Sequence, residues 1–372
     1  MSDRQSHRII LSAGGTGGHI FPAVAVAREL EKLLPGVEIL FVGARGKMEM
    51  EKIPEAGYQV KGLWISGLER KKSIRSLLFP VKVAWSMAHA LQILTVFRPS
   101  VVAGFGGYAS GAILKAASVK RIPTLIQEQN SLAGITNRIL AGSAEKICVA
   151  YEGMEKFFQP EKIIVTGNPV RSEISNIDDK KEEALSYFGF ETGRFNVLVV
   201  GGSQGARSVN KAIVKSIDFF NNAGINLLWQ TGKLFYEQAR TLVDGKGINN
   251  IRVSTFIDRM DLAYAAADLV VSRAGAIALS EIALAGRPAV LIPLPTAAED
   301  HQMKNALAYS EHGAAVVIPD SEAEARLTVE IEKIIHDDAF RKSLGENVRS
   351  FAKPDAAVSI AEEIIGLIRK KK

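Results

Sequence analysis

One cysteine, Cys148, stands in a chain of 372 residues. A lone thiol excludes an intrachain disulfide framework and a cysteine-based metal cluster, so nothing here demands an oxidising compartment. Several chemical signatures are missing as well. No Gly-x-x-x-x-Gly-Lys-Ser/Thr occurs, which excludes a P-loop, and neither His-Glu-x-x-His nor Asp-x-Asp is present, so metal-dependent chemistry has no evident ligand set. Long hydrophobic runs are absent too. Residues 9–27 are uncharged and end in small side chains resembling a signal-peptidase site. But Gly14, Gly15, Gly17, Gly18, His19 and Pro22 interrupt them, which rules out a helical export signal. Residues 83–97 are uncharged but fall short of the ~20 needed to span a bilayer. Their Ser86, His89, Gln92 and Thr95 recur at helical spacing and predict an amphipathic helix. The expectation is a cytoplasmic chain without a transmembrane segment.

What is present is ordinary in bulk. Hydrophobic residues make up 47% and charged residues 23%, which excludes wholesale disorder. Single cores stop growing at roughly 250–300 residues, so this length predicts two domains. Charge is uneven. Up to Asn168 there are 21 basic and 13 acidic residues; the remainder has 25 and 27. A basic first half suits an anionic partner, whether nucleic acid, a membrane surface or a phosphorylated ligand, or it is a chance imbalance on a solvated face.

One unit recurs along the chain: a short β-branched run, a Gly-rich turn, then a helical pattern. Residues 8–12, 100–103, 196–200 and 268–271 are four such runs. They lead into Gly14-Gly-Thr-Gly-Gly-His19, Gly104-Phe-Gly-Gly-Tyr-Ala-Ser-Gly111, Gly201-Gly-Ser-Gln-Gly-Ala206 and Ser272-Arg-Ala-Gly-Ala276. Further runs lie at 38–42, 124–126, 146–149, 163–166, 227–230, 251–255 and 289–292. Continuous apolar runs mark strands buried on both faces, and strands alternating with helices predict parallel, doubly wound α/β sheets. The domains are expected at 1–168 and 169–353. Residues 176–194, charged and poorly periodic, read as a surface connection. Residues 354–372 carry an amphipathic helix ending in Arg-Lys-Lys-Lys, able to pack on either domain.

In open parallel sheets ligands bind beyond the carboxyl ends of the strands, where all four Gly-rich turns sit. Glycine lets backbone N–H groups approach an anion, and the helix that follows adds its positive end. Each turn is therefore a candidate phosphate cradle, although tight strand-to-helix turns also use glycine for steric reasons alone. Residues 104–109 match Gly-x-Gly-x-x-Ala, but in the third unit rather than the opening one. His19 at a Gly-lined helix start suits a general base or a hydrogen-bond donor. Glu281 lies six residues after Gly275, placed to accept from ribose hydroxyls, and its apolar flanks argue against a solvated surface role. Glu299-Asp-His-Gln302 with Asn305 would read sugar hydroxyls or cap a helix.

Taken in order, the first loop with Phe21-Pro22, Gly106-Gly-Tyr108, Glu128-Gln-Asn130, Gly167-Asn-Pro-Val-Arg171, the loop from Gly201 to Ala206, Phe256-Ile257, Ser272-Arg-Ala-Gly275 and Ser280-Glu281 resemble the MurG family of peptidoglycan synthesis. The resemblance implies a GT-B fold, two Rossmann-like doubly wound domains facing across a cleft. The first would face acceptor and membrane, the second would bind the UDP-sugar, and the last helix would return to the first. It implies an inverting transfer of N-acetylglucosamine from UDP-N-acetylglucosamine to lipid I, giving lipid II, with no metal and no cofactor. Arg171 and Ser203 would contact the donor diphosphate, and Ile257 would offer backbone groups to uracil. Ala276, Ile277, Ala278, Leu279 and Ser280 would hold phosphate and ribose, with Glu281 on the ribose hydroxyls. Gln302 and Asn305 would read the sugar; His301 stands where some relatives have Gln. Thr16, Gly17, Gly18 and Asn130 would meet the sugar from the first domain. His19, Tyr108 and Glu128 would line the acceptor side, with His19 the first choice of base and Glu128 the second.

A lipid-linked acceptor also implies an anionic membrane surface as partner, and no nucleic acid. Lys61, Arg70, Lys71, Lys72, Arg75 and Lys82 oppose a single acid, Glu69, among Trp64, Ile74, Leu77, Leu78, Phe79 and Trp85. Trp64 is expected in the core. Residues 77–80 are expected in a loop at Pro80 that inserts at the bilayer interface, holding the chain peripherally on the cytoplasmic face of the cell membrane. Two other readings compete: a UDP-N-acetylglucosamine 2-epimerase on the same architecture, which needs no acceptor, and an exported two-lobed solute-binding protein, which the missing signal peptide disfavours.

Overall fold

The computed structural model describes residues 7–65, 79–202 and 205–370. The chain divides into two compact units, Met1–Val170 with Lys353–Lys372, and Arg171–Ala352. The first unit runs β1 (Arg8–Ser12), α1 (Gly17–Leu33), β2 (Glu38–Ala44), α2 (Glu49–Glu55), β3 (Gln59–Leu63), α3 (Phe79–Phe97), β4 (Val101–Gly104), α4 (Tyr108–Val119), β5 (Thr124–Glu128), α5 (Ile135–Ala141), β6 (Lys146–Val149) and β7 (Ile163–Val165). The second runs α6 (Lys181–Phe188), β8 (Asn196–Val200), α7 (Arg207–Lys215), α8 (Ile217–Asn222), β9 (Asn226–Gln230), α9 (Tyr236–Gly245), β10 (Ile251–Ser254), α10 (Met260–Ala266), β11 (Leu269–Ser272), α11 (Ala276–Ala285), β12 (Ala289–Leu291), α12 (His301–Ser310), β13 (Val316–Val317), α13 (Ala323–His336) and α14 (Asp338–Arg349). A last helix, α15 (Ala356–Lys370), belongs to the first unit.

Both sheets are wholly parallel among the described residues. Their orders are β3-β2-β1-β4-β5-β6-β7 and β10-β9-β8-β11-β12-β13. Each unit is thus doubly wound, and the two together make the GT-B fold. In the first, period 2 sends alternate residues to opposite faces. Ile9, Leu11, Phe41, Val101 and Ala103 pack against α1 and α15, while Ile10, Leu40, Val42 and Val102 pack against α3, α4 and α5. The α15 residues Ile360, Ile364, Ile365 and Ile368 lie in the same cluster as Ile20, Val24 and Ala27 of α1. In the second unit Val197, Val199, Leu227, Trp229, Leu269 and Val271 share a core with α7, α9 and α13.

Four expectations need correcting. Residues 176–194 are not a plain connection but contain α6. Its first turn carries Glu182 and Glu183, Ala184 and Leu185 are buried, and Gly189 ends it in the left-handed region. Eight residues are too few for periodicity to stand out. Trp64 is 41% exposed rather than core, with the Lys82 ammonium 5.7 Å from its ring centre. Phe79 and Pro80 begin α3 rather than forming a loop, since the first helical turn tolerates a residue without an N–H. The polar stripe of α3 is a solvent face only in part, with Gln92 and Thr95 exposed. Ser86 is buried and donates to the Trp64 carbonyl at 2.9 Å, while Val81 and Trp85 are exposed. Two strands escape a reading from apolar runs. β3 alternates at the sheet edge with Gln59 and Lys61 outward, and β13 has two residues. The basic run at 70–75, with Ile74, Leu77 and Leu78, lies outside the described residues.

Ile364, fully buried between α15 and α1, tests how much the returning helix contributes. Ile364→Ala should cost about 2–5 kcal/mol, read as a lowered urea midpoint at unchanged slope. A midpoint equal to wild type would mean α15 packs loosely.

Candidate active site

Each sheet reverses its winding direction beside its first strand, between β1 and β4 and between β8 and β11. Crossovers leave in opposite directions there and open a crevice at the strand ends. Three of the Gly-rich turns and the Ser272–Gly275 turn follow these four strands.

In the first unit the β1 and β4 turns are tied together. The Phe105 N–H donates to the Ser12 carbonyl at 2.7 Å, and the Ser110 hydroxyl to the same carbonyl at 2.9 Å. A Cβ at Gly107 would strike the Gly14 backbone, and one at Gly106 would strike the His19 ring. Only glycine permits this approach. His19, partly exposed in the first turn of α1, places Nδ1 2.7 Å from the Gly14 carbonyl and 3.5 Å from the Thr16 hydroxyl. A carbonyl only accepts, so in the neutral ring Nδ1 carries the proton and Nε2 the basic lone pair. Thr16 and Tyr108 are exposed beside it at the starts of α1 and α4, with Gly17 and Gly18 in the first turn of α1.

Glu128 ends β5, next in the sheet to β4, and is buried. Its Oε1 accepts from the Asn130 N–H at 3.1 Å and the Asn130 amide at 3.3 Å. Its Oε2 accepts from the Gly134 N–H at 2.9 Å and the Asn137 amide at 2.8 Å. Four donors fill its lone pairs, the arrangement of a carboxylate that holds a loop. Behind it Gln127, Gln129 and Asn168 form a buried amide chain to the Phe105 carbonyl.

In the second unit α11 starts after an extended Gly275 and leaves Ala276, Ile277, Ala278 and Ser280 partly exposed. Leu279, between them, is fully buried. Glu281, two residues further on, accepts from the Tyr264 hydroxyl at 3.2 Å. Burial pushes its carboxyl up to about 7, against the opposing pull of Arg171 and the Tyr264 hydrogen bond. Arg171 donates to the Asp258 carbonyl at 3.4 Å, and the Ile257 N–H is engaged by Gln230 Oε1 at 3.0 Å. Gln302 Oε1 accepts from the Leu294 N–H at 2.9 Å. Asn305 is wholly buried and reaches the Ala274 carbonyl at 3.5 Å. It supports the turn before α11 from behind. Glu299 and Asp300, just before Gln302, hold φ of 51° and 57°. Two successive non-glycine residues in the left-handed region are strained, and such strain gathers at ligand sites. Ser203 lies outside the described residues.

Comparison with known proteins converges on one family. Residues 9–149 match the glycosyltransferase family 28 N-terminal domain and residues 196–360 its C-terminal domain. A transferase of Flavobacterium psychrophilum is 46% identical over 99% of this chain and 100% of its own. Its counterpart in Porphyromonas gingivalis is 50% identical over 98% of this chain and 97% of its own. Both are named UDP-N-acetylglucosamine–N-acetylmuramyl-(pentapeptide) pyrophosphoryl-undecaprenol N-acetylglucosamine transferase. The crystal structure of Acinetobacter baumannii MurG aligns at TM-score 0.75 and 28% identity, covering 97% of this chain and 99% of that one. This chain belongs to the MurG family of glycosyltransferases. A Neisseria meningitidis UDP-GlcNAc 2-epimerase also aligns, at TM-score 0.68, over 96% of this chain and all of its own, but at 14% identity it shares the fold alone.

Three residues of this MurG-family chain support the candidate site and were not singled out by the sequence. Tyr264 supports Glu281 from α10, a helix whose every residue is buried. Arg273, quoted only within a motif, donates to the Ile292 and Pro293 carbonyls, to Asp320 and to Ser208. It pins the β11 turn to β12 and α7. Glu49 is the third. The first two join segments distant in sequence, so no local spacing could have signalled them.

The raised Glu281 carboxyl has a pH consequence. An unfolded Glu titrates near ~4.3, so the folded chain holds this proton over the window from there to about 7. Its contribution is full below that window and lost as pH rises through 7. Glu281→Gln, which never ionises, should therefore gain on wild type by about 1–3 kcal/mol between pH 5 and pH 8. Thermal melts at both pH values check this. A gap that does not change between them would mean the carboxyl ionises in the ordinary range.

Proposed function

We propose that this chain transfers N-acetylglucosamine from UDP-N-acetylglucosamine to the 4-hydroxyl of the N-acetylmuramyl unit of lipid I, forming lipid II in peptidoglycan synthesis. What carries the reading is kinship at 46–50% identity along nearly the whole chain with transferases bearing that name. The acceptor oxygen attacks the anomeric carbon as the bond from that carbon to the β-phosphate oxygen breaks. The hydroxyl proton passes to a base, UDP leaves, and the α-linked donor becomes a β-1,4 product.

The second unit serves as the donor side. The N-terminal end of α11 and Arg171 offset charge growing on the departing diphosphate. Glu281 accepts from the ribose hydroxyls, Ile257 borders the uracil, and Gln302 reads the sugar. A ribose hydroxyl donating to Glu281 favours its ionised form, so donor binding and proton release are linked there. The first unit serves as the acceptor side, with Thr16, Gly17, Gly18, Tyr108 and Asn130 placing the sugars. His19 is the base. Its Nδ1–H is committed to the Gly14 carbonyl, so Nε2 is the nitrogen that takes the proton. Glu128, saturated by four donors, shapes the loop that carries Asn130.

The same unit meets the bilayer. Over both of its segments it holds 26 basic and 16 acidic residues. Trp85 is 60% exposed one turn from Val81 on α3, beside Lys82 and Trp64. Exposed aromatic side chains seat at the interface, and each nearby cation adds ~1 kcal/mol on an anionic surface. No helix among the described residues is long and apolar enough to cross a membrane. We place the chain peripherally, on the cytoplasmic face where nucleotide sugars are available.

Release of UDP from UDP-N-acetylglucosamine, with and without a lipid I analogue, tests the activity. UDP should appear only with the acceptor; conversion of the donor to an epimer without acceptor would overturn the reading. His19→Ala should lower kcat by ~10²–10⁴, and near wild-type turnover would remove His19 as base. For the membrane, Trp85→Ser combined with Lys82→Glu should weaken co-sedimentation with anionic vesicles, and added salt should weaken it for wild type. Equal, salt-insensitive binding of both proteins would refute the patch.

A further inference from the structure

Glu49 opens α2, yet it is wholly buried, unlike the other acidic residue of that turn, Glu51. Its two oxygens are shared between two strand ends. Oε1 accepts from the Ala44 N–H at 2.9 Å, where β2 finishes, and Oε2 accepts from the Gly15 N–H at 3.1 Å, in the loop after β1. The chain makes room for it. A Cβ at Gly14 would overlap Glu49 Oε1, and one at Gly43 would overlap its Cγ. Burying a carboxylate costs several kcal/mol unless its oxygens are satisfied, and charged acceptors make strong, directional bonds to backbone N–H groups. The carboxylate therefore clamps the Gly14–Gly15 peptide in one orientation.

That peptide is also the one His19 depends on. The Gly15 N–H held by Glu49 and the Gly14 carbonyl that receives His19 Nδ1 at 2.7 Å belong to the same peptide plane. Turning the plane would move both. From the other side, the Gly107 backbone closes on Gly14 and the Gly106 backbone closes on the His19 ring. We propose that Glu49 is a positioning residue for His19: through the Gly14–Gly15 peptide it fixes the ring and keeps its proton on Nδ1, so that Nε2 is the basic nitrogen. The proposal rests on the reading of His19 as the base. Released from the Gly14 carbonyl, the ring would sample the Nε2–H tautomer, which cannot take a proton at the reacting position.

Glu49→Gln keeps the side-chain volume and one acceptor oxygen but turns an N–H₂ toward a backbone N–H. Expected in this variant is a fall in kcat of about 10- to 100-fold, with the KM for UDP-N-acetylglucosamine changed by less than about twofold. In a His19→Ala background the same substitution should change kcat by less than about twofold, since a residue acting through His19 has nothing left to act on. Nitrogen-15 spectra of the imidazoles give a readout that a merely structural role would not move. Wild-type His19 should be the Nδ1–H tautomer, and Glu49→Gln should introduce the Nε2–H form. Unaltered kcat in Glu49→Gln, an undiminished effect without His19, or an Nε2–H ring in the wild-type protein would each overturn the proposal. The last needs no variant to fold. Wild-type turnover in His19→Ala would instead remove the base assignment alone, and the Glu49→Gln imidazole spectrum would still decide whether Glu49 sets the tautomer.

Discussion

A parallel sheet cannot be wound from one side only and remain covered on both faces. Placing β1 and β8 in the middle of their sheets forces crossovers to leave in opposite directions beside them. The resulting gap at the strand ends is where this chain keeps its Gly-rich turns. Backbone N–H groups, helix starts and His19 are brought to that edge by topology, while the apolar runs of the strands hold the edge still. The chemistry of both units follows from this one constraint.

Three carboxylates, two buried and one partly exposed, show how surroundings divide labour among identical groups. Glu128 meets four amide donors and organises residues 130–134. Glu49 meets two backbone N–H groups from different strands and couples them. Glu281 meets a Tyr264 hydroxyl and a neighbouring Arg171, and burial outweighs both, leaving its proton loosely committed. In the first two, each oxygen accepts from at least one donor of the protein itself. The third accepts from the Tyr264 hydroxyl and is partly exposed, so it keeps acceptor capacity at the surface.

The fold was legible because its strands are buried on both faces, so apolar runs such as residues 196–200 announce themselves without periodicity. Where burial is one-sided the signal fails. β3 at the edge alternates with Gln59 and Lys61, and α6 is too short and charged to stand out. At the site, residue types in Gly-rich turns pointed to His19 and Glu281 because those turns are local in sequence. Whether a side chain faces outward or its own scaffold was not legible. Asn305 turns inward to Ala274, Leu279 into the core, and Trp64 outward, and each depends on neighbours 20 to 30 or more residues away. Glu49 was hidden for the same reason: in sequence it is one acid among Lys47, Glu51 and Lys52, and only the fold shows it turned inward.

The return of α15 to α1 imposes an order on synthesis. The apolar stripe of α1, with Ile20, Val24 and Ala27, is made near the beginning, but the residues that cover it follow the whole of Arg171–Ala352. The second unit is a continuous stretch and has all its parts while the first still lacks a helix. A nascent chain therefore carries an uncovered apolar surface for the time needed to translate most of its length, a natural station for a holdase chaperone. The second unit is assembled before the first is closed.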